Sequence, residues 1–397
     1  MPAFTFEQAR RSVMDTVRAA HPTPASESVA LESAAGRVLA EGVLADRDYP
    51  AVARAVRDGY AVRTADLPGT LDVIGEVRAG EIFGGEVGRG QAVEIMTGAP
   101  VPRGADAVVM LEYVQRDGAR VMAGQSADAG QFVNPQGCEA RSGETLLHPG
   151  KRLDFTDIAM LASIGCTRVP VHVRPRVALI ATGDEIVPVG ETPRAFQIRN
   201  SNVYSLAAQV TRAGGEPEIL PVARDEHAHT RELIERGLQA DLLLLSGGVS
   251  AGKYDIVESV LAELDAEFFF DRVLIQPGQP LVFGCARGTF FFGLPGNPSS
   301  TMVTFEIFAR AALELAGGQQ DVGLIMPSAR LTQPFRHKVG LTRFLPARLT
   351  ADGAEVTPLA SRGSSDVPAL TRANAFVVVE ADRAEWQKGD WIRVLLK

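Results

Sequence analysis

The chain opens with helical periodicity over residues 6–20, and Thr5 with Gln8 matches the capping-box pattern that satisfies orphan amides at a helix start. From residue 28 to about 43 the pattern is mixed and punctuated by Gly36 and Gly42. Beyond Asp46, short β-type runs (71–77, 92–96, 107–114, 120–123) alternate with turns such as Gly84-Gly85 and Gly88-Arg89-Gly90. That alternation predicts a β-rich module reaching to about Gly137. A second helix is expected over 155–165, capped by Thr156. Its distance from the first predicts an inserted β-rich domain (47–137) inside a split helical N-terminal domain (1–46 and 138–174).

From residue 176 the pattern becomes regular. Strands are expected at 176–181, 217–222, 241–245, 268–275 and 290–294, and helices at 202–213, 227–239, 255–264 and 299–315. The runs VALIA and DLLLLS are almost continuously apolar, as strands of a parallel sheet covered on both faces must be. Residues 175–320 thus read as a doubly wound parallel-sheet α/β domain, in which ligands bind beyond the carboxyl ends of the strands. After Gly317-Gly318 the chain returns to short strands. The end reads as two strands around Lys388-Gly389-Asp390, and 321–397 as a small C-terminal β-barrel. The fold class is multidomain α/β plus β.

Composition narrows the partners. A chain of 397 residues exceeds one ordinary core, and 46% hydrophobic with 22% charged residues is typical of a globular protein. Apolar runs such as 290–294 fall far short of the roughly 20 residues that span a bilayer, so no membrane partner is expected. The opening MPAFTFEQARRSVMD lacks a signal-peptide pattern, which predicts a cytoplasmic protein. A net charge of -8 argues against nucleic acid, whose phosphates need a basic surface. Cys138, Cys166 and Cys285 suit neither a disulfide framework nor a CxxC site and read as reduced packing residues. The six histidines form no HExxH motif, so chemistry must come from carboxylates, backbone amides and hydroxyls.

Four expected strand-end loops gather such groups: Thr182-Gly183-Asp184-Glu185, Arg224-Asp225-Glu226, Ser246-Gly247-Gly248-Val249-Ser250-Ala251-Gly252, and Leu294-Pro295-Gly296-Asn297-Pro298-Ser299-Ser300. Gly247 to Lys253 fits GxxxxGK, but Tyr254 stands where a P-loop needs Ser or Thr, which excludes a nucleoside-triphosphatase loop. The glycines still let backbone amides face a phosphate or another oxyanion. Asp184, Glu185, Asp225 and Asp255 suit either helix first turns or magnesium, which takes few carboxylates plus phosphate oxygens. In the β-rich module, Arg57-Asp58-Gly59-Tyr60-Ala61 and the stretch 95–102 read from their residues alone as tight turns.

Together DGYAV (58–62), IMTGAPVPRGADAVV (95–109), ATGDEI (181–186), SGGVSAGKYD (246–255) and GLPGNPSS (293–300) resemble the MoeA family, the molybdopterin molybdotransferases, which include the gephyrin E domain. The resemblance implies transfer of molybdate onto adenylylated molybdopterin with release of AMP and magnesium as cofactor. It implies a homodimer with a composite active site, and the adenylylating enzyme of the same pathway as a candidate partner. Carried over, Asp58, Thr97, Glu185, Asp225 and Asp255 are catalytic, with Asp225 and Asp255 as metal ligands. Gly183, Ser246, Gly247, Gly248, Ser250, Gln276, Gln279, Pro295, Gly296, Asn297, Pro298 and Ser364 bind substrate. The chain departs from the family at Arg57, where a Met is usual, and at Cys138, where the family has an acid. Gln276 and Gln279 replace two lysines, and a basic residue falls near Pro346, with Arg343 and Arg348 as substitutes. Arg272 and Lys253 are the expected compensating cations beside the glutamines, Arg272 favoured by alternation along one strand. The alternative reading is a catalytically weakened molybdopterin-binding or scaffold homologue.

Overall fold

A computed structural model describes residues 2–20, 23–248 and 256–397. It divides into two compact units: residues 41–149 with 159–166, and residues 1–40, 150–158 and 167–397.

The smaller unit is built on a six-stranded sheet of β1 (Gly59–Val62), β2 (Gly69–Val77), β3 (Gln91–Ile95), β4 (Ala107–Met110), β5 (Val114–Asp117) and β6 (Arg120–Ala123), ordered β4-β1-β3-β2-β6-β5. Only β2 and β3 run parallel. The DGYAV motif forms β1, the strand that the hydrophobic pattern missed. Gly59 is obligatory there, because a Cβ would stand 2.1 Å from the Val109 carbonyl oxygen of β4.

In the larger unit, α1 (Phe6–Ala20) starts at the expected capping box: Thr5 N donates to Gln8 Oε1 at 2.9 Å and Gln8 N to Thr5 Oγ1 at 3.2 Å. Its stripe Phe6, Ala9, Val13 and Val17 packs into the main core, with Phe6 edge-on to Phe308 and Phe344. Where the chain leaves this unit and returns, Leu39 N donates to Lys151 O at 2.9 Å and Gly150 N to Leu39 O at 2.8 Å. The helix α2 (Phe155–Ser163) is capped by Asp154 rather than Thr156. The Asp154 carboxylate accepts from the amides of Thr156 at 2.8 Å and Asp157 at 3.2 Å, standing just outside the helix, where a cap must be.

The central sheet consists of β7 (Arg176–Ala181), β8 (Glu216–Ile219), β9 (Leu242–Ser246), β10 (Glu267–Arg272), β11 (Pro280–Ala286) and β12 (Thr289–Leu294), ordered β8-β7-β9-β12-β11-β10. The first four in that order run parallel, and α3 (Asn202–Arg212), α4 (His227–Gly237) and α5 (Ile256–Glu263) lie in the connections, which gives the expected doubly wound core. β11 was not expected. It makes an antiparallel hairpin with β12 and carries β10 on its far side. Gly284 in β11 lies where a Cβ would be 2.4 Å from the Phe291 ring and 2.5 Å from the Glu267 carbonyl oxygen. Gly284→Ala should therefore lower unfolding free energy by about 1–3 kcal/mol in a urea titration.

The single helix expected over 299–315 is three pieces: α6 (Pro298–Thr304), a π-type turn (Phe305–Ala309) and α7 (Arg310–Ala316). The turn holds buried Glu306, which accepts from Gln209 at 2.8 Å and Arg212 at 2.5 Å. The C-terminal region closes as a five-stranded barrel of β13 (Ser328–Leu331), β14 (Thr342–Leu349), β15 (Glu355–Pro358), β16 (Ala375–Val379) and β17 (Trp391–Leu396). Closure is the β14–β16 pairing. No helix among the described residues is long and apolar enough to cross a membrane. Cys138 is exposed, contrary to the packing role expected of it.

Candidate functional site

In the smaller unit the stretches read as tight turns carry a defined contact. Asp58 precedes β1 and Thr97 follows β3, and the antiparallel pairing of these strands brings them together. One Asp58 carboxylate oxygen accepts from Thr97 N at 2.7 Å and from Thr97 Oγ1 at 2.8 Å. The Thr97 amide first, and its hydroxyl second, hold the Asp58 carboxyl below the usual range. Asp58 is exposed, so a fixed, ionised carboxylate with one oxygen unspent faces outward.

In the larger unit the parallel strands end in one row of loops. Thr182 N donates to Ser246 O, Gly183 N to Ala223 O and Gly247 N to Leu294 O, each at 3.1 Å, which ties the ends of β7, β9 and β12 together. The Gly247 amide is thus already spent, and does not face an anion as the glycine pattern led one to expect. Gly247 and Gly248 have φ of 94° and 62°, and a Cβ on Gly248 would press to 2.7 Å from Thr182 Oγ1, so the turn admits only glycine. Gly183, at φ 133°, has Glu185 folded back over it: a Cβ would lie 2.4 Å from that carboxylate.

Above these loops lies a cleft of about 340 Å³. It gathers Glu185, Ser246, Gly247, Gly248, Pro295, Gly296, Asn297 and Pro298, all expected at the site. It also includes Thr182, Arg199, Asn200 and Asn202, which were not among the expected site residues. Thr182 belongs to a strand-end loop already singled out in the sequence, while the signal for the other three was the polar run Arg199-Asn200-Ser201-Asn202 ahead of α3, which reads only as a helix start. Gly183 and Asp225 do not line the cleft. The Asp225 amide donates to Asp184 Oδ1 at 3.2 Å, which holds it at the strand ends outside the lining. Ser250 and Asp255, with Lys253, lie outside the described residues.

A second cleft, about 600 Å³, shares Pro280, Pro295 and Asn297 with the first. Gln276, Gln279 and Ser364 line it, Ser364 being drawn to the Pro-Gly loop by its carbonyl, which accepts from Ser299 N at 2.9 Å. Among the described residues no acid lines this cleft, while Arg343 and His337 do. Arg343 is the register partner of Gln276, because residues 275–276 leave β10 and pair in parallel with β14 of the barrel. Alternation from Arg272 along one strand therefore fails: that strand ends at Arg272, which lines neither cleft. Burial lowers the Arg343 pKa, and burial followed by the neighbouring Arg343 charge lowers that of His337, so at neutral pH the cation here is Arg343.

An open α/β sheet with loops and clefts at its carboxyl edge defines a ligand-binding protein of the doubly wound α/β class, and comparison with known proteins says which family it falls in. The patterns of the MoeA N-terminal region (domains I and II), a probable molybdopterin-binding domain and the MoeA C-terminal region (domain IV) match residues 4–165, 178–315 and 328–397. The molybdopterin molybdenumtransferase of Bacillus subtilis is 34% identical over 385 residues, covering 94% of this chain and 90% of that one. That of a Nostoc species is 37% identical over 304 residues, covering 74% and 70%. A crystal structure of the molybdopterin biosynthesis MoeA protein of Pyrococcus horikoshii covers 100% of both chains, with TM-score 0.83 at 28% identity. The chain belongs to the MoeA family of molybdopterin molybdenumtransferases and is a transferase of molybdenum-cofactor biosynthesis.

Proposed function

We propose that this enzyme transfers molybdate onto adenylylated molybdopterin with release of AMP, the two clefts of the larger unit holding the two reactants. The observation that carries this reading is the second cleft: one partly buried guanidinium, serine hydroxyls and no acid among its described lining, continuous with a cleft at the strand ends. Such a lining suits a small oxyanion, since the guanidinium and hydroxyls donate and nothing repels it. The first cleft takes the nucleotide-bearing pterin. Glu185 supplies the acid of its lining, and the α3 N-terminus, which no side chain caps, offers its first amides to phosphate.

Magnesium fits the donor set. Asp184 and Asp225 are hydrogen-bonded neighbours at the strand ends, and no group of three potential ligands forms a ready cage among the described residues. That suits an ion that takes one or two carboxylates and completes its shell with phosphate oxygens and water. Asp225 and Asp255 would hold it, and when bound it would supply positive charge to offset that of the pyrophosphate. Asp58, held by Thr97, is assigned to the site of a partner subunit, so the working form is a homodimer with composite sites in the cytoplasm. The adenylylating enzyme of the pathway is the proposed donor of substrate.

The deciding assay uses purified protein, adenylylated molybdopterin and molybdate, and follows AMP. Molybdate-dependent release is expected; binding of the pterin without release would instead make the chain a scaffold homologue. The role of the second cleft has its own test. Gln276→Lys with Gln279→Lys should tighten molybdate binding by about 1–2 kcal/mol per productive charge-assisted contact, and Arg343→Ala should weaken it by a similar amount. Arg272→Ala should leave it unchanged. If calorimetry finds molybdate affinity insensitive to Arg343 and both glutamines, the oxyanion binds elsewhere.

A further inference from the structure

The second cleft is short of positive charge. Among the described residues its lining carries one guanidinium, that of Arg343, and one imidazole, that of His337, beside neutral amides and hydroxyls. A doubly charged oxyanion entering there meets one permanent cation. Its other negative charge stays uncompensated in a partly buried place, where an unpaired charge is screened less than in bulk water. The imidazole is the group of the described lining that can gain charge when the anion arrives.

His337 is placed for that task. Its amide donates to the Ala384 carbonyl at 2.8 Å, which fixes the backbone, and its ring stands edge-on to Phe335 with centroids 5.3 Å apart. Neither ring nitrogen is bonded to another described residue. On the surrounding segments Arg336 is paired with Glu385 at 2.7 Å and Arg383 with Asp390, while Lys338 and Asp382 are exposed. Arg343 reaches the same turn, donating to the Lys338 carbonyl at 3.2 Å, and of these groups it is the one whose charge bears on the ring. In the empty cleft burial first, and Arg343 second, hold the imidazole below its ordinary range. A dianion offsets Arg343 and adds its own attraction, so the same ring becomes easier to protonate.

We propose that His337 is a proton-linked ligand of the second cleft, neutral when the cleft is empty and charged when a dianionic oxyanion fills it. The proposal deepens the oxyanion reading given above and rests on it. Such a cleft favours doubly charged over singly charged oxyanions, because Arg343 alone balances a monoanion. At pH low enough to charge His337 in the empty cleft, affinity is highest and level. At higher pH each dianion brings in a proton, and affinity falls by up to about 10-fold per pH unit, the limit for one linked proton. The fall ends where the ring of the filled cleft loses its proton.

The experiment titrates the full chain with molybdate and follows the His337 ring by NMR, its resonance assigned by its loss in His337→Gln. The ring should titrate below the ordinary histidine range without molybdate, and about one pH unit or more higher at saturation. Calorimetry at about pH 7 in two buffers of different ionisation enthalpy should show proton uptake on binding molybdate. Perrhenate, a singly charged oxyanion of similar shape, should bind without it. His337→Gln keeps a hydrogen-bond donor but cannot charge, so it should abolish the uptake and flatten the pH dependence. A merely structural histidine would titrate alike with and without molybdate, and its replacement would lower the melting temperature and leave the uptake intact. The inference alone is overturned if the His337 resonance ignores molybdate while Arg343→Ala still weakens binding. If Arg343→Ala also leaves binding unchanged, the oxyanion reading of the cleft falls with it.

Discussion

Asp58→Ala should reduce molybdate-dependent AMP release by about 100- to 10,000-fold, the range typical of a positioned carboxylate acting in a reaction step. Asp58 is exposed and its removal empties no core, so the folded variant should melt like the parent. Its described side-chain contacts are the two from Thr97, and Thr97→Val, which keeps the amide bond and loses the hydroxyl bond, should fall between parent and Asp58→Ala. Because the Asp58 carboxyl is held below its usual range, acidification toward about pH 5 should not switch this residue off. The composite-site reading adds a mixing result. Asp58→Ala subunits exchanged with Asp255→Asn subunits give mixed dimers with one intact site each, so roughly a quarter of the sites should recover. Inactivity after confirmed exchange would show that both residues serve one subunit.

Asp225→Asn, and separately Asp255→Asn, should cost at least about 100-fold in AMP release and should raise the magnesium concentration giving half-maximal rate. The change keeps shape and removes charge. For Asp225 the alternative of helix capping is weak, since α4 has Glu226 at its N-cap and no side chain caps it. A folded Asp225→Asn enzyme with unaltered magnesium response would remove this residue from the metal site.

The elements of the α/β core were legible in the sequence because fully buried strands read as unbroken apolar runs, as in Leu242–Ser246. α1 was bounded correctly because its cap, stripe and length all agreed. β11 was hidden because it begins at Pro280, right after the loop of Gln276 and Gln279, and follows a Pro277-Gly278 pair that reads as a loop. Residues 275–276 were assigned to the wrong strand for a related reason. Periodicity says that a residue is extended, and only tertiary pairing says that its neighbour is Arg343 in the barrel. At the site, motif residues such as Gly247 and Asn297 were legible as types. The use of each was not, since whether the Gly247 amide faces a ligand or the Leu294 carbonyl depends on a strand distant in sequence. Asn200 and Asn202 left no trace beyond a polar run, because their place in the cleft is a property of packing.

The hydrogen bonds joining Leu39 to Gly150 and Lys151 have a meaning for how such a chain could arise and be altered. They close the larger unit on itself at the point where residues 41–149 depart, so to that unit this stretch behaves as one long excursion, with residues 159–166 a second and short one. Ring-closure entropy grows only logarithmically with excursion length, about 0.6 kcal/mol per doubling. A module of that size therefore burdens its host only modestly more than a short hairpin would, and it can gain, lose or exchange residues while the clasp beneath it stays the same.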